Sequence, residues 1–193
     1  FRKLAKEVSA HAYTLPGYPS LDVVSIDVHS TNFRQARSSS KPFILPCKIY
    51  DNQTNTYSNR HLLIKHQQSV GSDGFVHLWI SYLKSIICED DSASIVTYPT
   101  IPIGSYSGII LMVQNSHDLS ELSKTSTIQN KLYDCQSNAN KSRGTINTKF
   151  ATSVAFFVVL TCFIGLRDRI ESNMMLLPEA CLLFHIDFEY MFD

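Results

Sequence analysis

Residues 150–166, FATSVAFFVVLTCFIGL, are the most apolar stretch of the chain and limit the folds open to it. As a helix the stretch would run about 25 Å, short of the roughly 30 Å hydrocarbon core of a bilayer. Thr152, Ser153 and Thr161 interrupt it. Two readings follow. One is a fully buried helix or strand at the centre of an α/β core, with the apolar tail packed beside it. The other is a single-pass membrane anchor, with Lys149 before it and Arg167 and Arg169 after it. The short length favours the core. The anchor would make the rest a small ectodomain glycosylated at the sequons of Asn52 and Asn140.

The rest of the composition suits a folded domain. The 193 residues hold 17 basic and 17 acidic side chains, are 44% hydrophobic and only 18% charged. Zero net charge argues against a whole-domain polyanion binder, and so low a charged fraction excludes a solvated disordered chain. Charge is uneven: residues 1–70 carry nine basic and four acidic residues, whereas residues 71–130 carry two and six. The first residue is Phe, which suggests processing, trimming or a fragment. Residues 1–20 read as an N-terminal helix and linker, and 21–193 as a single α/β domain. Cys47, Cys88, Cys135, Cys162 and Cys181 are odd in number and lack C-x-x-C spacing. That argues against a disulfide framework or a zinc ribbon and suits a reducing, cytoplasmic or nuclear setting.

Periodicity supplies the elements. Residues 1–12 predict a short amphipathic helix, ended by the Pro and Gly of 15–19. Residues 21–28, 43–50 and 56–65 predict strands, the last two joined as a hairpin by the turn-forming 51–55. Pro46 points to an edge position or a bulge. Phe75 to Ile87 has helical spacing, with Phe75, Trp79, Tyr82, Leu83 and Ile86 on one side. Residues 95–103 read as a strand broken by Pro99 and Pro102. Residues 114–149 are polar, with weak helices at 119–124 and 127–133.

No established catalytic motif stands out on this reading. Asp27-Val28-His29 ends the first strand, where nucleases hold catalytic metal ions, but one local carboxylate is too few and a strand-end polar pair is favoured. His61, His66 and His77 are scattered. Cys181 and His185 have the i, i+4 spacing of two ligands on a helix, a weak signal. There is no H-E-x-x-H, P-loop, G-x-G-x-x-G or G-x-S-x-G. No metal, cofactor or small-molecule substrate is expected.

Val24-Ser25-Ile26, Leu45-Pro46-Cys47, Tyr50, His61-Leu62-Leu63-Ile64, Leu78 to Lys84 and Tyr98 to Ile103 occur in an order that resembles the maelstrom domain, a diverged RNase H-like fold. The resemblance covers about residues 21–113. The late metal-binding element of that family is incomplete here: Cys135 is present, but Asn138 and Asn147 stand at the other two positions. The resemblance implies an α/β, RNase H-like mixed sheet with flanking helices. It also implies a non-catalytic module that binds RNA or silencing-pathway proteins in germline small-RNA (piRNA) silencing. Arg34, Arg37, Lys41, Lys48, Arg60 and Lys65, in the basic third, would then face phosphate. A ubiquitin-conjugating-like module and an active nuclease are weaker readings.

Overall fold

Two strand-forming runs, FILPCKIY at 43–50 and TYSNRHLLIK at 56–65, flank the turn-forming 51–55 and fold into a long hairpin. In the computed structural model, which describes residues 2–30, 33–35, 41–67, 70–87, 93–125, 127–139, 143–189 and 191, this hairpin is β4 (Phe43–Asp51) and β5 (Thr56–Lys65). Its register runs from Phe43↔Ile64 to Asp51↔Thr56. Asn55 takes the left-handed φ of 55° that closes the turn. The chain divides into two units, Phe1–Gly74 with Tyr98–Gln114, and Phe75–Thr97 with Asn115–Asp193. Residues 1–20 belong to the first.

In the first unit, α1 (Arg2–Ala10) precedes β1 (Tyr13–Leu15), β2 (Tyr18–Ile26) and β3 (Arg34–Gln35). After the hairpin come the start of α2 (Val70–Ile86), then β6 (Thr100–Pro102) and β7 (Gly108–Leu111). The sheet order is β1-β2-β4-β5-β7-β6, with β3 beside β4, and every pairing given for it is antiparallel. Pro46 lies inside an interior strand, at neither an edge nor a bulge of its own. It is tolerated because β4 changes partner there: Cys47 is the last residue paired to β2, and Ile44 the nearest paired to β3. The Pro46 carbonyl accepts from Asp27 N at 2.9 Å on that side, so the missing N–H faces the gap between partners. Leu15, Val23, Leu45, Ile49, Leu62 and Leu111 form the core, and Val8 of α1 covers it.

In the second unit, β8 (His117–Asp118) leads into α3 (Leu119–Thr125), α4 (Ile128–Ala139) and α5 (Arg143–Phe163). A 3-10 turn (Glu171–Asn173), β9 (Met174–Leu177), a second turn (Pro178–Ala180) and β10 (Leu182–His185) follow. The order β10-β9-β8 is again antiparallel. Leu122, Leu132, Ile146, Leu176, Cys181 and Leu183 make its core.

The apolar segment belongs to α5, which begins at Arg143 rather than Phe150. Gly144–Phe163 is long and apolar enough to cross a membrane by length and composition. One face is docked on protein: Ser153 is fully buried, accepts from Leu183 N of β10 at 3.0 Å and donates to the Phe150 carbonyl at 2.8 Å. Val158, Val159 and Phe163 on the other face are exposed, so the expected fully buried element is buried on one side only. Asn52 of the first sequon is exposed and donates to the Pro19 carbonyl. Asn140 lies outside the described residues.

The α/β class expected from the sequence is what the structure has. Helix α2 turns a different face inward than its aromatic spacing suggested. Val76, His77 and Ile80 are buried, while Phe75, Leu78, Trp79 and Tyr82 are exposed.

Two substitutions test this packing. A Cβ on Gly108 would stand 2.1 Å from Val70 Cγ1 and 2.9 Å from the Ile101 carbonyl oxygen. Gly108→Ala should therefore destabilise by about 1–3 kcal/mol, read as a lower urea midpoint with unchanged slope. Ser153→Ala leaves the Leu183 N–H buried and unpaired, and should cost about 1–3 kcal/mol in the same measurement.

Candidate active site

The end of α5 sets the site. Gly165 takes a left-handed φ of 59°, and Leu166 N reaches back to the Thr161 carbonyl at 2.9 Å. This is the bond that closes a glycine-terminated helix. Leu166 turns inward, and Arg167 and Asp168 are exposed immediately after it.

The β9–β10 pairing then brings distant residues together. Leu177 pairs with Leu182 and Met174 with His185, so the residue before β9 meets the residue after β10. Ile186 N donates to the Asn173 carbonyl at 3.0 Å. Asn173 Nδ2 donates to Asp168 twice, to the carbonyl oxygen at 2.8 Å and to Oδ2 at 3.1 Å. Arg169 closes the other side: Nη1 donates to the Ile186 carbonyl at 2.9 Å, Nη2 to the Asp187 carbonyl, and Nε to the Arg167 carbonyl at 2.9 Å. Asp168, Asn173 and Asp187 are thus tied into one loop cluster. Both aspartates hold left-handed backbone, at φ 57° and 59°. Outside glycine this backbone is uncommon, and Asp and Asn reach it more readily than other residues.

Beneath the cluster the packing is aromatic. Phe188 is fully buried, with its ring edge-to-face on His77 at 5.5 Å and the Arg169 guanidinium 5.6 Å from its centroid. His185 stacks on Phe157 at 4.8 Å. Burial pushes the His77 imidazole down to about 3. Burial and, secondarily, the Arg169 cation push His185 down to about 4.

In the first unit, β5 ends at Lys65, which is buried, and the first turn of α2 carries the buried Asp73. An apolar strand ending in lysine and followed by a helix with a buried carboxylate is an arrangement suited to meeting phosphate.

The expected phosphate-facing residues are not one surface. Arg34 and Lys41 are exposed, and Arg37 lies outside the described residues. Lys48 is exposed and sits 4.7 Å over the Tyr57 ring. Arg60 is half-buried and donates to the Met112 carbonyl. Lys65 is buried. Asp27 Oδ1 accepts from the backbone N–H of His29 and Ser30, so it caps the end of β2. Cys181 sits in a left-handed turn and His185 at the end of a strand, so the pair shares no helix. Among the described residues no three His, Cys, Asp or Glu side chains group to hold a metal.

Comparison with known proteins gives the class. The sequence model of the family described as phosphatidylinositol 3- and 4-kinase matches residues 61–193, and the chain belongs to that family. It is 26% identical over 185 residues to a probable phosphatidylinositol 4-kinase STT4 homolog of Encephalitozoon cuniculi, covering 93% of this chain and 13% of that protein. It is 27% identical over 193 residues to phosphatidylinositol 3-kinase VPS34 of Saccharomyces cerevisiae, covering 98% of this chain and 21% of that protein. The chain thus spans less than a quarter of either relative's length.

These matches overturn the maelstrom resemblance and the function implied by it: RNA binding, silencing-pathway partners, germline piRNA function and a non-catalytic role. They overturn the membrane-anchored ectodomain as well, since residues 150–166 fall within the matched region. The RNase H-like form of the sheet loses its only support with the resemblance. The sequence did carry the missed signal. Asp168-x-x-x-x-Asn173 and Asp187-Phe188 have the spacing of a phosphoryl-transfer loop and its metal-binding partner.

The two histidines give a pH dependence. Folded, both stay neutral at pH values where the unfolded chain, with an ordinary value of 6.5, takes up protons. Their contribution is whole above pH 6.5 and is lost progressively as pH falls toward about 4 for His185 and about 3 for His77. The thermal midpoint should fall between pH 7 and pH 5, and the fall should shrink in a His77→Gln, His185→Gln double variant.

Proposed function

We propose that this chain carries the phosphoryl-transfer residues of a phosphatidylinositol kinase, moving the γ-phosphoryl group of ATP to a hydroxyl of the inositol ring. The observation that carries the reading is the tie between Asp168, Asn173 and the residues around Asp187. Leu166-Arg167-Asp168 with Asn173 follows the kinase pattern H-R-D-x-x-x-x-N, and Asp187-Phe188-Glu189 follows D-F-G. Leu166 replaces the His, and Glu189 the Gly.

Asp168 is the group that takes the proton of the attacking hydroxyl. The new bond joins that oxygen to the γ-phosphorus, the bond from phosphorus to the β–γ bridging oxygen breaks, and ADP leaves. Asn173 is spent as a donor on Asp168, which leaves its amide oxygen for a cation, and Asp187 supplies a carboxylate. Two protein oxygens suit Mg²⁺, which takes one or two side chains together with substrate phosphates. When bound, the ion neutralises charge on the phosphates. In its own unit, Lys65, buried at the end of β5, is the cation for nucleotide phosphate. Free thiols at Cys47, Cys162 and Cys181 support a cytoplasmic setting.

The test is transfer of γ-phosphate from labelled ATP to phosphatidylinositol vesicles by the whole protein. Wild type should form product only with Mg²⁺, and chromatography of the product reads the ring position. Asp187→Asn keeps a residue that tolerates left-handed backbone and removes the charge. Asp187→Asn and Lys65→Met should each lower kcat about 100-fold or more. Undiminished rates in both would refute the assignment.

A further inference from the structure

We infer that Arg169 is a positioning residue that sets the Asp187 carboxylate relative to the Asp168 loop, an inference that rests on the kinase reading above. Its three nitrogens donate to three main-chain carbonyls, those of Arg167, Ile186 and Asp187. Two belong to consecutive residues. In an extended strand consecutive carbonyls point to opposite sides. Here the left-handed turn at Asp187 brings the second to the side of the first. A rigid guanidinium fork can receive both at once. The pairing therefore holds Asp187 in a backbone conformation that it would otherwise seldom adopt.

The direction of the Asp187 side chain depends on that conformation. The cation also lies over the ring of Phe188, the next residue, and so restrains both sides of the segment. The three donations run to main-chain carbonyls of the Asp168 and Asp187 segments, which is the work of a positioning residue. A lysine could not replace it, because a single ammonium cannot span these carbonyls.

Arg169→Lys in the whole protein tests the inference, with circular dichroism as the folding control. The variant should show kcat lowered about 10- to 100-fold and the Mg²⁺ concentration for half-maximal rate raised by a similar factor. KM for phosphatidylinositol should be unchanged. Wild-type kcat and Mg²⁺ dependence in the variant would overturn the proposal. So would a rise in phosphatidylinositol KM with the Mg²⁺ dependence unmoved.

If the variant does not fold, the unmodified protein decides. NMR should show the Arg169 guanidinium protons exchanging far more slowly than those of free arginine, and exchange at the free rate would overturn the proposal. That measurement needs no kinase activity. A wild type unable to transfer phosphate would sink the kinase reading, while slow guanidinium exchange would still report whether the fork is locked.

Discussion

The pairing of Met174–Leu177 with Leu182–His185 is the constraint on which the site depends. It fixes Asn173 opposite Ile186, and through them joins two stretches of chain that each hold one left-handed aspartate. The hairpin is anchored from behind by Ser153, whose hydroxyl takes the Leu183 N–H that would otherwise point into apolar packing. A helix rich in Val and Phe is thereby tied to the hairpin by a buried polar bond as well as by its apolar face. The same helix ends at Phe163, Gly165 turns the chain out of it, and Asp168 follows exposed.

Much of the first unit was legible in the sequence. The Phe43–Lys65 hairpin follows from two strand-forming runs around a turn cluster, and the structure pairs them without a register shift. Interior Pro46 was misread because the sequence does not say where one strand edge changes partner. Helix α2 was read correctly as a helix but with the wrong face inward. Spacing gives the period, whereas burial of Asp73 and His77 depends on tertiary partners. The same limit undid the resemblance: a strand, hairpin and helix in order are common to unrelated folds, and order alone does not define chemistry.

The site was hidden for a different reason. Its members are separated in sequence, from Asp168 to Asp187, and they are neighbours only because a hairpin folds between them. The apolar tail around them, MMLLPEACLLFHIDF, reads as core by composition. Lys65 is one cation of a basic third in the sequence, but its burial at the end of β5 suits one phosphate contact better than an exposed polyanion surface.

The central claim is that Asn173 and Asp187, held by this hairpin, receive the metal of a metal–nucleotide complex. Electron paramagnetic resonance of Mn²⁺ with ATP reads this directly in the whole protein. Adding wild type should broaden and shift the Mn–ATP spectrum, and adding Asp187→Asn should leave it as in buffer. Identical spectra with the two proteins would contradict the account.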